Sequence, residues 1–133
     1  MSPTGCPKGE ILSAQREGSP VRAWLTLHEG HFHRHVQLLP GRTLVLFSQP
    51  GCAACRRAEA FLPGWLAGIV QQCVKVDAQE QAALAREFEV FHLPALHLYL
   101  DGRYHAPVLC PLAEAAVRTA VGQVIADPAF EAP

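Results

Sequence analysis

The apolar positions fall into short blocks whose period changes along the chain. Val21 to Leu27 is apolar and β-friendly, with Val21, Ala23, Trp24, Leu25 and Leu27, and predicts a first strand. His31 to Leu39 places Phe32, Val36 and Leu39 at helical spacing and stops at Pro40-Gly41, which predicts a short amphipathic helix. Thr43 to Phe47 is a continuous apolar run, the pattern of a strand buried on both faces. Ala53 to Ile69 reads as helix, with a kink or early stop expected at Pro63-Gly64. Cys73 to Asp77 predicts a strand, and Glu80 to Phe88 a helix with Ala83, Leu84 and Phe88 on one face. Ala95 to Leu100 and Arg103 to Leu109 read as two strands joined by an Asp101-Gly102 turn. Leu112 to Ile125 closes the series as a helix with Ala116, Val117, Ala120, Val121 and Val124 as its apolar stripe.

The order β-α-β-α-β-α-β-β-α argues for parallel crossovers in the first part and an antiparallel edge from the final hairpin. The expected architecture is α/β, a mixed sheet with helices on both faces. Residues 1–20 hold Pro3, Gly5, Pro7, Gly9, Gly18 and Pro20 and read as a flexible extension, with one possible helical turn near Ile11 to Arg16. Residues 21–133 form the domain.

Composition narrows the function. At 133 residues, half of them hydrophobic and 17% charged, the chain has material for one core and is not disordered. Eleven basic residues against twelve acidic ones leave no basic face to hold nucleic acid. Ala60 to Val74, the longest uncharged run, is broken by Pro63, Gly64 and Gly68 and is too short to span a bilayer. Residues 1–10 carry no apolar run, so no secretory signal is expected and a cytoplasmic address is the default.

The five cysteines are Cys6, Cys52, Cys55, Cys73 and Cys110. An odd number in a chain of this size does not read as a disulfide framework. Only Cys52 and Cys55 form a motif, Cys-Ala-Ala-Cys, and a zinc site would need a second ligand pair that is missing nearby. The context is a buried strand, a Pro50-Gly51 turn and a helix start. Free backbone N–H groups and the positive end of the helix dipole favour a thiolate there, with pKa values of roughly 3.5 to 7.5 in such places. Arg56 and Arg57 add positive charge. Cys52, further out, is the expected nucleophile, and Cys55, one turn in, the resolving thiol.

These residues resemble the thioredoxin family. Residues 43–55 sit like its strand and active-site loop, 76–90 like its next strand and helix, and 91–102 like the segment holding its cis-proline, with Pro94 in the proline's place. The resemblance runs from about Arg22 to Ile125. It implies a thioredoxin-like three-layer α/β/α sandwich and a thiol–disulfide oxidoreductase of cell redox homeostasis. It further implies that Gly51, Leu93 and Pro94 bind substrate, with His92 and Cys110 at the groove. Its partners would be protein disulfides and an electron-donating reductase or glutathione, with no metal or organic cofactor, no nucleic acid and no membrane.

Departures from the family pattern are Gly51 for Trp, Ala53-Ala54 for Gly-Pro, Leu46 for a buried Asp, Ala95 for Thr, and Cys110 for a Gly. Leu46 and Ala95 keep a second reading open, a binding module that turns over little. Seven histidines are many for this length. His31 and His35, near His28 and His33, would share a helix face and have metal-ligand spacing, with a solvated polar face as the alternative. Cys73 reads as a small buried hydrophobe and Cys6 as an exposed tail residue.

Overall fold

The computed structural model describes residues 24–27 and 29–133. The extension at 1–20, Cys6, the expected helical turn near Ile11, the start of the first strand at Val21 and His28 lie outside the described residues. The chain runs through β1 (Trp24–Thr26), a 3-10 turn (Glu29–His31), α1 (Phe32–Val36), β2 (Arg42–Ser48) and α2 (Ala53–Trp65). It continues through β3 (Gln72–Asp77), α3 (Ala82–Glu87), β4 (Ala95–Leu100), β5 (Arg103–Val108) and α4 (Glu114–Ala126). Among the described residues, no helix is long and apolar enough to cross a membrane.

Strand β2 is covered on both faces, which is why its run is apolar throughout rather than alternating. Leu44 and Leu46 pack into one layer with Ala58 and Leu62 of α2 and Val117 and Val121 of α4. Val45 and Phe47 pack into the other with Phe32 and Val36 of α1 and Leu84 of α3. The result is a three-layer α/β/α sandwich around one mixed sheet of order β1-β3-β2-β4-β5.

β3 runs parallel to both β1 and β2, with Trp24 opposite Cys73 and Leu46 opposite Lys75. β4 runs antiparallel to β2, with Phe47 opposite Ala95, and antiparallel again to β5. Antiparallel pairing therefore reaches into the sheet and is not confined to the final hairpin. β4 starts beside the end of β2, with Ala95 opposite Phe47, and runs back along it. Asp101 (φ 51°) and Gly102 (φ 81°) close the β4–β5 hairpin in the left-handed region that an Asp-Gly turn uses.

Helix α2 departs from expectation in a second way. It passes through Pro63 and ends at Trp65, neither stopping at the proline nor reaching Ile69. Pro63 has no N–H to give the Glu59 carbonyl one turn back. The indole Nε1–H of Trp24 donates to that carbonyl instead, at 2.9 Å. A residue of the edge strand thus completes the hydrogen bonding of the helix that carries the cysteines.

This arrangement predicts a coupled pair of substitutions. Trp24→Phe leaves the Glu59 carbonyl without its donor and should lower stability by about 1–2 kcal/mol. In a Pro63→Ala background a helical N–H is restored, and the same Trp24 change should cost clearly less. Urea denaturation of the four proteins checks it, and equal losses in both backgrounds would contradict it.

Candidate active site

β2 ends at Ser48 and the chain turns through Gln49-Pro50-Gly51, with Gly51 at φ 82°. That left-handed conformation favours glycine, which accounts for Gly51 where bulkier residues stand in the family. Cys52 then caps α2. Its backbone is extended, and its sulfur accepts the Cys55 N–H at 3.1 Å. Its carbonyl accepts the Arg56 N–H at 3.1 Å. A sulfur at this position lies among the free N–H groups at the positive end of a helix of 13 residues.

Cys52 and Cys55 are joined as a disulfide, with Cα atoms 5.2 Å apart. The two sulfurs are not equivalent. Cys55 is fully buried, while Cys52 is half-buried at the surface. An incoming group therefore reaches Cys52 first. Arg56 and Arg57 are both exposed, and Arg57 reaches across to the Leu112 carbonyl at 3.4 Å, tying the start of α2 to the loop before α4.

The sequence-predicted residues gather on one side of this pair. Leu93-Pro94 is a cis peptide bond just before β4. A hollow lined by Cys52 also takes in Phe91, His92 and Leu93. His92 is exposed and also borders a second, adjoining groove that contains Pro94 and Cys110. Leu46 is fully buried, facing the α2–α4 layer between Lys75 and Leu96. Glu59 stands one turn beyond Cys55 on α2, and the Nζ of Lys75 lies 3.2 Å from its carboxylate.

His31, His33 and His35 do not line this site. His31 and His35 share a face with ring centroids 5.6 Å apart, and His33 pairs with Glu87 at 2.9 Å on the surface. Among the described residues, no group of three or more His, Cys, Asp or Glu side chains is placed to hold a metal ion.

Sequence reasoning missed a polar pair under the adjoining groove. His97 of β4 and Tyr104 of β5 meet at 2.9 Å, Nδ1 to Oη. The signal was present: a histidine inside the buried run Ala-Leu-His-Leu-Tyr-Leu. Burial holds the His97 imidazole down to about 4, from an ordinary 6.5, so it is neutral at pH 7. Burial pushes the Tyr104 phenol up to about 12.

A five-stranded mixed sheet with a Cys-x-x-Cys pair capping the helix after its central strand, facing a cis-proline loop, defines a thioredoxin-fold protein. The thioredoxin family model matches residues 23–121, and the chain belongs to that family. No curated relative matches it. Among solved structures, one concerning the thiol resolving mechanism in yeast mitochondrial 1-Cys peroxiredoxin via glutathione/thioredoxin systems has a TM-score of 0.65 at 18% identity, covering 79% of this chain and 99% of the other. A mutant thioredoxin from Halobacterium salinarum has a TM-score of 0.63 at 21% identity, covering 82% and 93%. At these identities the likeness is one of fold.

Burial separates the two remaining described cysteines. Cys73 is fully buried in β3 and its thiol is pushed up to about 12. Cys110 is half-buried at the groove, and burial raises its thiol too. In the folded, oxidised protein carrying Cys6→Ser, an alkylating reagent should label Cys110 well ahead of Cys73. Mass spectrometry of a labelling time course reads this, and equal or faster labelling of Cys73 would remove Cys110 from the groove.

Proposed function

We propose that this protein is a thiol–disulfide oxidoreductase acting on protein disulfides in the cytoplasm, in cell redox homeostasis. The observation that carries the reading is the asymmetry of the pair: a half-buried sulfur at the helix cap, bonded to a fully buried one a turn inside. In the reduced protein the Cys52 thiolate attacks one sulfur of a substrate disulfide. The substrate S–S bond breaks, and the departing sulfur leaves as a thiolate that takes a proton. The Cys55 thiolate then attacks the Cys52 sulfur and releases the second substrate thiol. Two electrons have passed to the substrate, and the protein is left with the Cys52–Cys55 disulfide. A dithiol reductase or glutathione returns it to the dithiol, and no metal or organic cofactor takes part.

Gly51, Leu93 and Pro94 bind substrate in this reading. The backbone of Leu93 pairs with an extended segment as an added strand would, and His92 and Cys110 border that segment. The likeness to the structure concerned with thiol resolving in the yeast 1-Cys peroxiredoxin via glutathione/thioredoxin systems supports an electron donor of either kind. A second reading, a binding module with little turnover, draws on Leu46: the strand position beside the pair is fully buried and carries no acid.

Reduced protein should reduce the disulfides of a model protein. Cys52→Ser should abolish this, and Cys55→Ser should leave mixed disulfides stalled on Cys52, visible as adducts on a non-reducing gel. Wild-type turnover surviving in Cys52→Ser would overturn the assignment, and absence of turnover in wild type would favour the binding module.

A further inference from the structure

The groove beside the cysteine site is larger than a peptide backbone needs. It encloses about 510 Å³ between the Phe91–Pro94 loop and β5, within the size range of pockets that hold a bulky group. Its walls are apolar and bare. Phe91 is 84% exposed, Leu109 85% and Phe130 58%. Phe130 is held there by the segment after α4, which crosses back to β5 so that the Phe130 N–H donates to the His105 carbonyl at 2.6 Å. Apolar side chains gathered around one concavity mark a binding site more than chance exposure does.

The floor of the groove is polar. His97 lines it while only 7% exposed, braced from behind by Phe47 and Phe88 with ring centroids 5.7 and 5.1 Å away. Among the described residues, its one hydrogen bond is from Nδ1 to Tyr104. The second ring nitrogen is left for a ligand. A neutral imidazole with a phenol beside it offers both a donor and an acceptor. A group with an apolar body and a hydroxyl tip fits such walls and such a floor.

Continuity and charge identify the carrier of that group. The groove shares Val90, Phe91 and His92 with the hollow of Cys52, so one extended segment can reach both. The charged side chains on its lining are Glu89 and Glu131, both acids. We propose that the groove takes the tyrosine side chain of a polypeptide substrate, close in sequence to the disulfide presented to Cys52 and flanked by basic residues. This rests on the oxidoreductase reading for the disulfide, but the groove's preference can be measured without turnover.

The test uses fluorescein-labelled cystine peptides carrying Lys-Tyr-Lys, Lys-Phe-Lys or Lys-Ala-Lys beside the disulfide. Binding to the oxidised full chain is read by anisotropy, and kcat/KM is read separately with the reduced chain. The tyrosine peptide should bind about two- to tenfold tighter than the phenylalanine peptide, the span of one hydrogen bond. Both should bind tighter than the alanine peptide, and glutamates in place of the lysines should weaken binding. His97→Leu and Tyr104→Phe, each checked for native circular dichroism, should bring the tyrosine/phenylalanine ratio to about one and keep the preference over alanine. Equal binding of all three peptides, or a ratio unchanged in both variants, overturns the proposal. Turnover that ignores the side chain also overturns it and leaves the oxidoreductase reading standing. Selective binding without any turnover supports the groove and removes the oxidoreductase reading.

Discussion

Strand β2 is the constraint on which the rest of the structure depends. Thr43 to Ser48 are buried on both sides of the sheet, hydrogen-bonded to β3 on one flank and β4 on the other. A strand so enclosed cannot slip, because a shift by one residue would exchange the two apolar layers. Its end is therefore a fixed point. The Gln49-Pro50-Gly51 turn starts there, and Cys52 inherits its position from it. The site is precise because a strand enclosed on both faces and paired on both flanks delivers it.

The chemistry follows from what that delivery leaves open. Cys52 caps helix α2, so one sulfur sits among unpaired N–H groups at the surface while its partner is fully buried a turn inside. The helix continues past Pro63 because Trp24 of the edge strand supplies the missing donor. β1 thus contributes to the rigidity of the cysteine helix as well as to the sheet. On the other side, β4 starts level with the end of β2, which brings the Leu93-Pro94 loop opposite Cys52. The substrate side of the site is thus set by the register of β4 on β2.

Much of this was legible in the residues. The Thr43–Phe47 run, the Cys-Ala-Ala-Cys spacing and the Asp101-Gly102 turn are local signals, and local signals carry strand burial, turn type and helix starts; the place of Pro94 came from the resemblance to the thioredoxin family. What was not legible depends on contacts between distant positions. The indole that lets α2 pass Pro63 lies 35 residues from the carbonyl it serves. The antiparallel direction of β4 against β2 is a pairing between distant segments that no local motif carries. His97 reads as an oddity in an apolar strand until the irregular register between Leu98 and Tyr99 sets Tyr104 beside it. Phe130 lies beyond every predicted element and becomes a groove wall only through its hydrogen bond to β5.

The central claim is that Cys52 and Cys55 work as one two-electron couple. The most direct measurement equilibrates the full chain in glutathione buffers of graded poise, quenches with acid, and determines the state of each cysteine by mass spectrometry. The account predicts one transition in which Cys52 and Cys55 convert together between two thiols and one internal disulfide. Accumulation of glutathione on Cys52 with Cys55 left as a free thiol, or a pair that does not change across the whole range, would contradict it.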